Sequence, residues 1–349
     1  VQGAAAGTGI AAGFNSAKLA IYSAVPALKA FTVALFSTGI GAVIIALTAL
    51  VGLFTKAGRE GAEFGKAMST LRAITSQTAE ELKDLSNQAK QLGASTAFTA
   101  SQVVSLQTEL AKLGFTVQEI ENSTPAILDL AASLDVNLAE AASFAGATLR
   151  GFGLDTIETQ KLVDIFAKST SQTSLDFEKL RESMKLVAPT ARAVGLSVER
   201  TTALLGALAN SNISGSLAGT GLSKVFIELS KKGIEFEDAL NLINNSSNKL
   251  NTAIELVGIN GGRSLLTLAS TGGKALDQLE ADFSSVEGAA KALADTRLDN
   301  LEGDITRLSS AWSGFLLGIE DGTGTISRLS RGAIQLLTNS ISGFQDAVT

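Results

Sequence analysis

Carboxylates are the side chains of this 349-residue sequence whose pattern invites acid–base chemistry, because the chain contains neither cysteine nor histidine. Those two absences remove disulfides, thiolate and imidazole metal sites, cysteine nucleophiles and every Ser-His-Asp arrangement. Two close pairs remain, Asp155 with Glu158 and Asp176 with Glu178, and paired carboxyl groups can serve as general acid and base. Both pairs stand where helices are expected to start, and there capping and the helix macrodipole account for them. Calcium binding needs alternating Asp/Asn ligands and a closing Glu, a spacing that Glu235-Phe236-Glu237-Asp238 does not provide. The glycine-rich run from Ser214 to Gly221 lacks the Gly-Lys-Ser/Thr end of a phosphate-binding loop and follows no expected strand, so it reads as a helix entry. No catalytic, metal or cofactor site is expected, and the chain is not expected to be an enzyme.

The elements that carry these residues are expected to be helices. Three prolines in the whole chain (Pro26, Pro125, Pro189) and a mean hydropathy of +0.27 argue against a loop-rich β architecture. Aromatic residues make up 5%, too few for base-stacking platforms, and no sequence-specific nucleic-acid binding is expected. Charge divides the chain. Residues 1–56 hold Lys18, Lys29 and Lys56 and no acid, so a head of charge +3 precedes a body of charge −9.

The head, residues 1–57, is rich in glycine and alanine. Its apolar stretch from Phe31 to Phe54 includes Phe36, Gly39, Gly41, Ile44 and Leu50 and would span about 36 Å as a helix, against about 30 Å of bilayer hydrocarbon. Two readings stand: a transmembrane-like helix that enters a membrane at some stage, or a helix buried inside a large assembly. The flanking cations are symmetric and give no orientation. Val1 stands where an initiator methionine would, and the chain is expected to be a piece of a longer protein.

From residue 58 the sequence reads as short amphipathic helices, with a core over 58–235 and a helical extension over 236–295. Thr78-x-x-Glu81, Thr99-x-x-Gln102, Thr116-x-x-Glu119, Asn137-x-x-Glu140 and Asp155-x-x-Glu158 have the spacing of capping boxes. Gly93, Gly114, Gly153 and Gly195 suit the left-handed position after a helix, and Pro125 suits a first turn. Gly114-Phe115-Thr116, Gly153-Leu154-Asp155 and Gly195-Leu196-Ser197 repeat one phrase at intervals of 39 and 42. They read as a quasi-repeat of helical hairpins without a fixed solenoid period. Gly258 to Gly262 and Thr271 to Gly273 read as helix breaks.

Residues 296–349 are expected to form amphipathic, coiled-coil-like helices. Leu298, Leu301, Ile305, Leu308, Trp312, Phe315 and Ile319 are spaced 3, 4, 3, 4, 3, 4, an a/d stripe that would either self-associate or pack on its own body. A second stripe (Ile326, Leu329, Leu336, Leu337, Ile341, Phe344) follows the turn Asp321-Gly322-Thr323-Gly324.

Several phrases resemble the tape measure proteins of long-tailed bacteriophages. They are the apolar block from Ala27 to Phe54, the core from Phe64-Gly65-Lys66-Ala67-Met68 through Leu92 to Ala100 and Leu110 to Phe115, the turn Leu217-Ala218-Gly219-Thr220-Gly221, and the segments Arg297 to Asp304 and Ser310 to Phe315. The resemblance implies an all-α structural protein of the virion, held in the tail lumen, that helps to determine tail length and then assists membrane penetration and DNA passage during ejection. It implies as partners the tail tube, tail-tip proteins, tail assembly chaperones, further copies of itself as a homo-oligomer, and the host cell membrane on infection. Even wholly helical, 349 residues would reach only about 520 Å, so a long ruler would lie elsewhere. The competing reading of the apolar head and helical body is a pore-forming or colicin-like toxin; a third is an intracellular scaffold.

Overall fold

The computed structural model describes residues 59–320, and every regular element among them is helical. The apolar stretch Phe31–Phe54 and the stripe Ile326–Phe344 lie outside the described residues. Among those described, no helix is long and apolar enough to cross a membrane.

Helix α1 covers residues 59–75, followed by α2 (Lys83–Ser95), α3 (Ala100–Lys112), α4 (Val117–Leu134) and α5 (Leu138–Phe152). A 3-10 turn, Thr156–Glu158, leads into α6 (Thr159–Gln172), then α7 (Phe177–Ala193), α8 (Val198–Asn210), α9 (Gly215–Lys232) and α10 (Phe236–Asn245). The series closes with α11 (Lys249–Thr271), broken by a kink at Gly258 whose φ is 73°, then α12 (Gly273–Ser284), α13 (Ala289–Arg297) and α14 (Leu301–Glu320).

Helices α3 to α10 are four stacked hairpins. Their first helices start after Thr99, Asn137, Asp176 and Ser214, at intervals of 38, 39 and 38 residues. Each first helix packs on the next, α3 on α5, α5 on α7 and α7 on α9; the second helices α4, α6 and α8 do the same. This is the nearest-neighbour logic of a solenoid. The expected irregular quasi-repeat is therefore corrected to a near-constant one. The interval of 42 comes from α7: Asp176 to Gly195 spans 19 residues where Asn137 to Gly153 spans 16, so the glycine shifts while the starts of the first helices stay in step.

What keeps the hairpins in step is how their helices end. Gly114, Gly153, Gly195 and Gly233 all have left-handed φ, between 64° and 79°, and each is followed by an apolar residue. The amide of that residue donates to the carbonyl five positions back: Phe115 to Leu110 at 3.2 Å, Leu154 to Leu149 and Leu196 to Ala191 at 2.9 Å, Ile234 to Leu229 at 3.1 Å. These are Schellman turns, and their apolar residues reach the core. Asp135 and Asn212 make the same turn without glycine, ahead of Val136 and Ile213. Phe144 of α5 stacks on Phe166 of α6 at 4.7 Å and meets Phe177 of α7 edge-on at 5.5 Å, so one aromatic cluster joins adjacent hairpins.

Two expected boundaries move. Gly93 does not end a helix: it lies buried inside α2, where a Cβ would fall within 2.7 Å of the Ala100 Cα, so the position demands close backbone approach. Pro125 lies in the interior of α4, well past the first turn. Its ring removes the N–H that would bond the Glu121 carbonyl. The Gln88 amide of α2 donates to that carbonyl at 2.8 Å, and buried Gln107 of α3 donates to Gln88 at 3.2 Å. A side chain two helices away thus replaces the lost backbone bond. The capping boxes at Thr99, Thr116 and Asp155 form reciprocally, whereas Asn137 caps Ala139 alone and the Thr78–Glu81 pair closes a turn ahead of α2. The Ser214–Gly221 run does open a helix, but Gly219 and Gly221 lie within α9, against Ser183 and Ser264.

Gly195 has nothing near its missing Cβ, so Gly195→Ala tests conformation alone: a loss of about 1 kcal/mol is expected in urea unfolding. Gly93→Ala must also displace the α2–α3 contact, and its loss should exceed that of Gly195→Ala in the same assay.

Candidate interaction surface

The carboxylates that first suggested chemistry are engaged in holding helices. Asp155 accepts the Ile157 amide at 2.9 Å while Glu158 reaches back to the Asp155 amide. Asp176 caps α7 through the Lys179 amide at 2.8 Å and pairs with the Lys179 ammonium at 2.9 Å; burial opposes its ionisation, but these contacts hold it below the usual carboxylate range. Glu178 is held low by Arg181, 2.6 Å away. A general acid needs the opposite shift.

Buried charge is concentrated instead where α12, α13 and α14 fold back along the stack. Helix α12 packs on α8, α13 on α4 and α6, and α14 on α2, each crossing back over an earlier part of the chain. Arg200 of α8, with a side chain only 7% exposed, holds α12 through Asp277 at 2.9 Å and Glu280 at 3.1 Å, and also pairs with Glu237 of α10. Burial works against the guanidinium charge, and the surrounding carboxylates, Glu237 foremost, more than offset it. Buried Asp164 of α6 accepts the amides of Gly288 and Ala290 at 2.9 and 2.8 Å, capping α13 from 124 residues away. Asp129 of α4 lies in the same place. Its pKa is pushed up to about 6, chiefly by burial, with Asp295 and Asp164 adding to the rise and Lys291 opposing it.

Helix α14 is the last part of this strap and carries the stripe read from the sequence. It turns its small residues inward: Gly303, Ser310 and Ser313 are buried, and a Cβ on Gly314 would lie 2.9 Å from the Cβ of Ala94 in α2. Five large residues face out, while Leu317 is buried with the small ones. Leu301 is 75% exposed, Ile305 59%, Leu308 71%, Trp312 38% and Phe315 36%, and the Trp312 and Phe315 rings lie 5.3 Å apart. Among the described residues, α14 thus packs on its own body by the other face and the stripe is exposed. Leu298 is a correction, since it is the C-cap of α13 and not a member of the α14 stripe. Asn300 divides the two helices, accepting the Gly303 amide at 3.0 Å while donating to the Arg297 carbonyl. The Ile319 side chain lies outside the described set. A contiguous apolar ridge of this kind on a folded body marks a contact surface.

The described residues belong to the class of stacked helical-hairpin scaffolds, here with an outward apolar ridge. Residues 86–311 match the family model described as phage-related minor tail protein. The chain is 33% identical over 313 residues to the tape measure protein of Pneumococcus phage Dp-1, covering 81% of this chain and 27% of that protein. It is 29% identical over 286 residues to a probable tape measure protein of Escherichia phage P2, covering 72% and 35% respectively. The chain belongs to the phage tail tape measure family, which decides between the tail-protein and toxin readings of the sequence. It spans about a quarter to a third of the length of these relatives. No solved structure matches it.

An acid whose folded pKa is raised is penalised when ionised, so Asp129 lowers stability progressively as pH climbs from about 4 to about 6 and fully above that. Asp129→Asn should therefore add on the order of 1 kcal/mol at pH 7, allowing for its partial exposure, and nothing below about pH 4 in urea unfolding. Asp164→Ala leaves two amides of α13 without their acceptor and should cost about 1–2 kcal/mol, with faster hydrogen exchange confined first to residues 286–297.

Proposed function

We propose that the protein is a structural component of the phage tail lumen that acts in tail assembly and length determination, and later in membrane penetration and DNA passage. Membership of the tape measure family across residues 86–311 carries this reading. The described body contributes a stack of capped hairpins, which is a platform and not an extended ruler: one 38-residue hairpin folds back on itself where a single straight helix of that length would reach about 57 Å. The length-setting rod accordingly belongs to other parts of the full protein. The outward ridge Leu301–Phe315 serves self-association as a homo-oligomer, and the tail tube, tail-tip proteins and tail assembly chaperones are the further partners. No step of catalysis and no cofactor enters this function.

The apolar head supplies the membrane step. Phe31 to Phe54 is shielded while the particle is intact and, once released, is stabilised in lipid by about 25 cal/mol per Å² of apolar surface removed from water. Lys29 on one side and Lys56 on the other remain at the two interfaces. The host cell membrane is thus a site of action on infection, and the virion tail the site of residence before it.

A tagged copy expressed from the phage genome should copurify with assembled tails at fixed stoichiometry; its absence from gradient-purified tails would overturn the tail assignment. In liposome flotation, the 349-residue chain should float with the vesicles and a variant lacking residues 1–57 should stay at the bottom. If both stay, the membrane step is wrong while the tail assignment stands.

A further inference from the structure

We infer that the α14 ridge of one copy docks on the α7–α9 face of a second copy, so that the chain associates head to tail. This rests on the reading of Leu301–Phe315 as a self-association surface and assigns that surface its occupant.

The ridge is flanked by acid. Glu302 and Asp304 are exposed and make no ion pair among the described residues, while Arg307 is drawn back to Asp295 of its own chain at 3.7 Å. If two ridges met in parallel, these like charges would be brought together along the contact. The surface that complements them lies two hairpins away. Helices α7 and α9 together hold seven Lys/Arg and three Glu, a net +4 in a chain whose total is −6. On α9, Leu217, Lys224, Ile227 and Lys231 form one exposed strip at helical spacing, and Leu186 of α7 is exposed beside it, where α7 closes on Gly219. Lys231 is paired with Glu228 at 2.7 Å, whereas Lys224 and Lys185 make no ion pair among the described residues. An apolar strip with free cations therefore matches an apolar ridge with free acids.

Intrachain docking does not satisfy the pair, because α14 is held on α2 by its small-residue face. From the exposures of its five large residues, the ridge can bury about 500 Å² per partner, or about 1,000 Å² in all, the lower bound for a specific interface. The two surfaces differ, so the contact is heterologous and either closes into a ring or extends as a row.

Sedimentation velocity of the 349-residue chain tests this with two variants. One breaks the ridge (Leu308→Asp) and the other breaks the α9 strip (Lys224→Glu with Ile227→Asp). All the positions are exposed, and unchanged circular dichroism checks that each variant folds. The wild-type chain should associate at micromolar concentration and less so at high salt. Each variant alone should bind itself at least about tenfold more weakly. Mixed, they should form a one-to-one pair that grows no further, since only one intact ridge and one intact strip remain. If the α9 variant associates like the wild type, ridges pair with each other and the head-to-tail contact is overturned. A wild-type chain that stays monomeric would instead overturn self-association itself.

Discussion

The body rests on how its helices stop. A left-handed residue reverses the chain, the next residue is apolar and enters the core, and its amide donates to a carbonyl in the last turn of the helix it leaves. Each such turn fixes a helix length and an exit direction at once. Because that choice recurs at nearly constant interval, α3, α5, α7 and α9 stand in line, and the aromatic cluster of Phe144, Phe166 and Phe177 can bridge neighbours. The first helices run 13, 15, 17 and 18 residues, so it is the near-constant spacing of their starts that keeps their apolar faces in line.

The strap formed by α12 to α14 follows from that regularity. The row of second helices presents a face that α12 and α13 cover, with α14 continuing onto α2, and each contact is keyed differently: a buried guanidinium at Arg200, a buried carboxylate cap at Asp164, and glycine-to-alanine contact at Gly314. Buried ionic groups add little net stability over an apolar replacement, yet removing one partner leaves the other stranded at high cost. They therefore act mainly as registration: α12 and α13 seat where their partners are and nowhere else along an otherwise apolar face.

Much of this was legible in the sequence, and the exceptions share a cause. The caps at Thr99, Thr116 and Asp155 and the glycines at 114, 153 and 195 speak through local backbone chemistry, which one short window contains. The fourth phrase, Gly233-Ile234-Glu235, escaped because glutamate is a poor cap and makes no capping bond here. Asp135 and Asn212 escaped because they turn left-handed without glycine. Gly93 and Pro125 were misplaced because their roles depend on Ala100 and Gln88, residues of other helices that no local window weighs. The strap's anchors were invisible for the same reason, since Asp164 and Gly288 lie 124 residues apart.

The stripe on α14 was legible as a pattern but not as an orientation. Heptad spacing shows which side chains share a face; it cannot say whether that face meets the body or the solvent, because α14 has two faces able to pack. The face with Ser310, Ser313, Gly314 and Leu317 wins the body: Gly314 allows close approach to Ala94 and Leu317 is buried in the core, so dispersion contacts there are dense. Leaving leucine, isoleucine and tryptophan in water is the less stable arrangement for an isolated chain by the hydrophobic effect alone. That unsatisfied surface is offset only when something covers it, and so the asymmetry of one helix ties the internal packing of the body to its external contacts.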